Sequence, residues 1–263
     1  MQAFDFKDRC VFVAGGTSGI NLGIAEAFAA AGAKTAVMSR SQARVDDAML
    51  RLRAFGGEVL GFAADVRNAE ATLSALKATS ASLGPIDILV SGAAGNFPSP
   101  ALGMSPNGFK AVVDIDLLGT FNVLRNAHAF LRKPGAAIIN ISAPQALLAM
   151  PLQVHVCAAK AGVDMLTRVL AIEWGGDGIR VNSVIPGPIE GTEGMARLAP
   201  TADAMQSVIG SVPLARLGTK QDVANLVLFL ASPWAAYITG AVIPVDGGWS
   251  TNGAGGLVPA ARA

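Results

Sequence analysis

The chain is poor in the side chains on which much enzyme chemistry relies. Its 263 residues include one tyrosine, two histidines and two cysteines, and only 15% are charged. Cys10 and Cys157 fall in a predicted strand and a predicted helix, offering neither a disulfide framework nor metal-ligand spacing. That excludes a small disulfide-built domain and a cysteine-held metal centre, and no metal is expected. A formal net charge of +1, with both signs spread along the chain, leaves no electrostatic footprint for nucleic acid or an acidic membrane. No stretch is long and apolar enough to span a bilayer, and residues 1–8 lack the basic region and apolar run of a secretory signal. The expectation is a soluble, cytoplasmic protein acting on a small molecule. One α/β domain spanning 1–263 is long enough to bury both a core and a ligand cleft.

What the chain does have is alternation. Apolar, β-branched runs at 9–14, 35–39, 59–63, 86–91, 136–141, 179–185 and 241–245 predict strands. Most lack a polar face, as strands covered on both sides do, so the sheet should be mainly parallel. Helical patterns at 20–31, 41–55, 68–82, 107–131, 154–174 and 221–231 lie between them, with Ser41, Asn68 and Ser105 as cap or pre-helix residues. Right-handed crossovers then predict a single doubly wound Rossmann-type domain with a seven-stranded sheet. The longest irregular piece, 186–219, is rich in Gly, Pro and Met and reads as a lid covering the substrate.

The run from Val11 to Gly23 is the strongest local signal: an apolar strand enters a glycine-rich turn and leaves as an alanine-rich helix. Gly15 and Gly16 permit a sharp turn and close approach of a ligand, and Gly19 lets the helix begin near the sheet. The free N–H groups at that start suit a phosphate, so the turn at Gly15, Thr17, Ser18, Gly19 and Ile20 is expected to hold a dinucleotide. At the end of the second strand, an acidic residue would bind the ribose hydroxyls of NAD and repel a phosphate. Here the chain reads Met38-Ser39-Arg40-Ser41. Arg40 offers a planar, permanently charged fork to a 2′-phosphate, Ser39 a further hydrogen bond, and Arg44 a second charge one turn on. NADP(H) is therefore the expected cofactor. The competing reading, two arginines dressing a helix N-terminus, puts cations at the positive end of a helix dipole.

Across essentially its whole length the chain resembles the short-chain dehydrogenase/reductases. Gly15-Gly-Thr-Ser-Gly-Ile20 is similar to that family's cofactor loop, Asp65-Val66 to its adenine contact, Ser91-Gly-Ala-Ala-Gly95 to the sequence after its fourth strand, and Pro186-Gly187 to its post-sheet turn. The resemblance implies that Ala93, Pro186, Gly187, Ile189 and Thr192 also bind the cofactor. Asn21 stands where the loop's third glycine is usual. The ending from Tyr237 to Gly248 is typical of the family and structural there.

The resemblance also exposes a chemical departure. Carbonyl reductases of this family carry Tyr four residues before a Lys, a Ser upstream and an Asn on an earlier helix. In this chain only Lys160 is kept: Val156 takes the tyrosine position, Ala143 the serine position and Asp116 the asparagine position. Ketone reduction develops charge on an alkoxide that needs an acid at once. Conjugate reduction of an unsaturated thioester spreads charge into an enolate or dienolate that is protonated later on carbon, so hydrogen-bond donors and a modest proton source suffice.

The segments Ala93–Phe97, Asp114–Asp116, Gln153–His155, Glu173–Gly175 and Pro186–Gly194 are similar to the 2,4-dienoyl-CoA reductases, particularly the peroxisomal type that also lacks the tyrosine. That resemblance implies NADPH-dependent reduction of a 2,4-dienoyl-CoA to a 3-enoyl-CoA. Lys160 would hold the nicotinamide ribose and keep the site positive; Asp116 would position or relay a proton. Asn96 and Phe97 would line the acyl pocket, with His155 bordering substrate. Two alternatives stand beside this one: a reductase of 2-enoyl-CoA or carbonyl substrates, and a catalytically silent NADP-binding sensor. Small and apolar residues on 107–131 and 154–174 resemble the family's paired-helix interface, implying a homodimer or homotetramer.

Overall fold

Strand β1 (Cys10–Ala14) is buried along its whole length, as a continuous apolar run at the centre of a covered sheet should be. The computed structural model describes residues 4–252, so both ends of the expected 1–263 domain lie outside the described residues. β1 is followed by α1 (Gly19–Ala30), β2 (Lys34–Ser39), α2 (Gln42–Arg53), β3 (Val59–Ala63), α3 (Ala69–Leu83) and β4 (Ile86–Ser91). The second half comprises α4 (Pro106–Val113), α5 (Gly119–Ala127), β5 (Ala137–Ile141), α6 (Val154–Trp174), β6 (Arg180–Pro186), α7 (Glu193–Leu198), α8 (Ala202–Ser211), α9 (Lys220–Ala231) and β7 (Val242–Val245). All seven expected strands are present, in the order β3-β2-β1-β4-β5-β6-β7, and every pairing is parallel.

Helices cover both faces. On one, Ile24 and Phe28 of α1 pack with Val223 and Val227 of α9 over Val11, Val13 and Ile139. On the other, Leu76 of α3, Leu124 of α5 and Leu170 of α6 cover Phe12, Leu89 and Ile138. The strand order reverses between β1 and β4, and the crevice at their carboxyl ends is the position a doubly wound sheet gives to a ligand. Helix starts follow their capping residues: Ser41, Asn68 and Ser105 accept hydrogen bonds from the backbone N–H of Arg44, Ala71 and Gly108.

Two expectations need correction. The helix expected over 107–131 is interrupted by a five-residue π turn at Asp114–Leu118 between α4 and α5, and ends in a 3-10 turn at His128–Phe130. A π turn inserts one extra residue into an otherwise helical pattern, so apolar periodicity on either side conceals it. The segment 186–219 is also more ordered in shape than an irregular lid, because it contains α7 and α8. Thr192 and Thr201 cap them through hydrogen bonds from Met195 N and Ala204 N. Both helices are short, so their apolar repeat gives little signal.

Candidate active site

The β1–α1 turn is shaped by backbone proximity. Gly15 has φ +77°, its N–H donates to Met38 O at 2.8 Å, and a Cβ there would sit 2.8 Å from both the Cα and N of Ala93. A side chain at this position would close the gap between the turn and the loop after β4. Ser18 precedes α1 without making a side-chain cap, leaving first-turn N–H groups of α1 available to an anion. These features, a cradle that a Cβ would fill and a helix start free of its own cap, fit a dinucleotide diphosphate.

A single cavity of about 790 Å³ opens over this turn. It is lined by every residue assigned above to the cofactor, from Gly15 through Arg40, Asp65 and Ala93 to Pro186, Ile189 and Thr192. Asp65 is gripped by Arg67, whose Nη2 donates to Oδ2 at 2.6 Å. That guanidinium holds the Asp65 carboxyl below its ordinary range despite partial burial. Arg44 reaches across the cavity mouth to Glu193 at 3.4 Å, and Arg197 donates to Asn96 O at 3.1 Å. These contacts join α7 to the α2 side and to the loop after β4; as exposed pairs they contribute little stability.

The π turn directs Asp116 inward. Its Oδ1 accepts from Gly95 N at 2.7 Å, and its Oδ2 faces Lys160 Nζ at 3.4 Å. Lys160 Nζ also donates to Ile141 O at 3.1 Å, so strand β5 fixes the ammonium from the other side. Asp116 and Lys160 are 1% and 5% exposed, and both line the cavity. Beside them, Val156 and Ala143 supply apolar wall where a phenol and a hydroxyl would otherwise stand. One turn beyond Lys160, Asp164 accepts from Ser183 Oγ at 2.8 Å. Burial pushes the Asp164 carboxyl up, against the opposing pull of its hydroxyl neighbours and of Arg168 and Lys160.

Asn96 lines the cavity, but Phe97 and His155 do not. Those two rings pack edge to face, 4.6 Å between centroids, with His155 fully buried and both of its ring nitrogens unpartnered. Tyr237 is fully exposed and outside the cavity.

A family model described as Enoyl-(Acyl carrier protein) reductase matches residues 14–250. A solved short chain dehydrogenase from Bacillus anthracis is 38% identical, with a TM-score of 0.83, over 92% of this chain and 96% of that one. The chain is a short-chain dehydrogenase/reductase. Levodione reductase superposes on this short-chain dehydrogenase/reductase with a TM-score of 0.89 at 30% identity, over 94% of this chain and 99% of that one. The peroxisomal 2,4-dienoyl-CoA reductase [(3E)-enoyl-CoA-producing] of Rattus norvegicus is 48% identical over 93% of this chain and 85% of its own length. A probable 2,4-dienoyl-CoA reductase [(2E)-enoyl-CoA-producing] of Bacillus subtilis is 41% identical over 94% and 98%. The family membership makes the chain an oxidoreductase with a nicotinamide cofactor.

Several residues lining the cavity of this short-chain dehydrogenase/reductase carry little signal in the sequence. Gln145 donates to Gln153 Oε1 at 2.6 Å, and both line the cavity. The only sequence signal for the pair was the motif Gln153-Val-His155, and it pointed to the histidine. Met150, Met195 and Trp249 add apolar wall. Their positions come from three separate segments with no shared pattern.

Proposed function

We propose that this enzyme reduces 2,4-dienoyl-CoA thioesters to 3-enoyl-CoA with NADPH. The observation that carries the reading is the buried Asp116–Lys160 pair in a cavity whose tyrosine position is Val156. The names of the 48%- and 41%-identical relatives support the substrate class. Arg40 and Ser39 at the cavity edge support NADPH, since they can meet a 2′-phosphate with charge and a hydrogen bond. NADPH, held by the β1–α1 turn and by Arg40 and Ser39, would supply a hydride for the far carbon of the diene.

The chain's own residues handle the charge and the proton. Lys160, fixed by Ile141 O and Asp116, holds ribose hydroxyls and keeps positive potential where the thioester becomes a dienolate. Low local dielectric strengthens that effect. Asp116, anchored by Gly95 N–H, orients a water or relays a proton towards the carbon beside the thioester carbonyl. Charge spread over several atoms tolerates this slower delivery, whereas a ketone's alkoxide does not. Asn96 offers a polar handle at the acyl end, α7 and α8 form the lid over it, and Phe97 and His155 shape that end from behind. Exposed Phe121, Met165 and Ile172 on α5 and α6 support assembly as a homodimer or homotetramer.

NADPH oxidation is to be followed with a short 2,4-dienoyl-CoA, the matching 2-enoyl-CoA and a 3-ketoacyl-CoA, with the product identified by NMR. Consumption with the diene alone, yielding the 3-enoyl thioester, is the expected result. Consumption with either other substrate transfers the assignment to a different reductase, and a 2-enoyl product overturns the protonation scheme. Nucleotide binding without turnover of any substrate points to a silent sensor.

A further inference from the structure

Asn21 lies in the first turn of α1, where the family's cofactor loop usually has glycine, and its side chain crosses to the loop after β4. Nδ2 donates to Gly92 O at 2.7 Å. The approach is so close that a Cβ on Gly92 would stand 2.3 Å from Asn21 Oδ1, 2.5 Å from Nδ2 and 2.6 Å from Cγ. Real Cβ atoms do not come that near other heavy atoms, so Asn21 takes this position, with its hydrogen bond to Gly92 O, because residue 92 has no side chain. Asn21 Oδ1 is buried without a protein partner, and both residues line the cavity.

We propose that Asn21 and Gly92 form a matched pair in which Asn21 is a positioning residue, strapping the phosphate-binding helix to the loop that carries the catalytic carboxylate's anchor. The connection is short and continuous. Asn21 holds Gly92 O, Gly92 N donates to Ala14 O at 3.1 Å, and Gly95 N, three residues on, holds Asp116 Oδ1 at 2.7 Å. Asp116 faces Lys160 at the far side of the cavity. Parallel to the strap, Gly15 presses directly on Ala93, so the two loops meet at adjacent points, one by contact and one by hydrogen bond. Loops at strand ends are ordinarily the most mobile part of such a sheet. Here the strap couples where the diphosphate is held to where the proton is handled. The inference rests on a nicotinamide dinucleotide occupying this cavity, not on which acyl substrate follows.

A four-member cycle tests it: the native chain, Asn21→Gly, Gly92→Ala, and both together. Each is measured for NADPH affinity by fluorescence titration, for kcat and KM separately, and for thermal unfolding. Asn21→Gly should weaken NADPH binding about fivefold, the worth of one net hydrogen bond, and lower kcat while the acyl substrate's KM holds. Gly92→Ala in the native background should weaken NADPH binding about tenfold, because the methyl displaces the Asn21 amide and breaks its hydrogen bond to Gly92 O. Adding Asn21→Gly should remove that penalty and return the double variant to the level of Asn21→Gly alone. Equal harm from Gly92→Ala in both backgrounds, including failure to fold in both, overturns the matched pair. Asn21→Gly that lowers the melting temperature but leaves NADPH affinity and kcat native overturns the positioning role. A native chain that binds neither NADPH nor NADH overturns the cofactor reading itself, and the inference with it.

Discussion

Replacing Asp116 by asparagine removes the charge facing Lys160 while leaving an oxygen for the Gly95 N–H. Both side chains are almost wholly buried, so the ammonium loses the carboxylate it faces at 3.4 Å where solvent can do little to replace it. Breaking a buried pair from one side costs about 3–5 kcal/mol. Lys160 keeps its hydrogen bond to Ile141 O at 3.1 Å, which favours the lower end of that range. For a domain of this length each kcal/mol shifts the melting temperature by roughly 2–4 °C, so Asp116→Asn should melt about 6–12 °C below the native chain. Asp116→Ala also strands the Gly95 N–H and should cost about 1–3 kcal/mol more. Turnover should fall by about 10²–10⁴ in the asparagine variant, the usual worth of a positioned proton-transfer group, with NADPH binding largely retained because the β1–α1 turn is untouched. Differential scanning fluorimetry, NADPH titration and single-turnover oxidation of NADPH by a dienoyl-CoA measure the three effects separately. An asparagine variant that binds NADPH and turns over within about threefold of native would remove Asp116 from the chemistry.

Two further outcomes follow from other parts of the molecule. Arg40→Ala should weaken NADPH binding by about 10–100-fold, the loss of a charge-assisted bond to phosphate, and leave NADH binding nearly unchanged; parallel titrations with both nucleotides check this, and equal losses for both would refute 2′-phosphate recognition. Under the sheet, burial pushes the Asp87 carboxyl up, but Arg132, the Cys10 N–H and Arg9 outweigh it and hold it below the ordinary carboxylate range. A carboxyl lowered in the folded state adds stability above its unfolded value of about 4 and gives it up as pH falls through the folded value. Arg132→Leu should therefore move the acid-unfolding midpoint to higher pH, followed by circular dichroism; an unmoved midpoint would show that the pair does not govern acid stability.

The fold was legible because its signals are local. Unalternating apolar runs marked the seven strands to within a residue or two, and Ser41, Asn68 and Ser105 marked helix starts because a cap needs only a side-chain oxygen three residues before an N–H. The glycine turn was legible for the same reason, since a backbone at φ +77° reads out as Gly15. Val156 and Ala143 are located by counting from Lys160 with the spacing of the resembled family, so the missing phenol is legible in the sequence. Phe97 and His155 were harder: position beside the site is not the same as lining it, and the two rings pack edge to face with each other instead.

The sequence by itself therefore determined the doubly wound sheet and the glycine turn at its switch point, because each depends on neighbours a few residues apart, while the absence of the usual acid came from the resemblance to the family's motif. Tertiary structure alone decided the π turn that swings Asp116 onto Gly95 and Lys160, the pairing of Gln145 with Gln153, and the fit of Asn21 against a residue without a side chain. Except for Gln145 and Gln153, which are eight residues apart, those arrangements join segments distant in the chain, and they form only when the sheet brings loop ends together at atomic contact, where a single Cβ decides whether two backbones can meet.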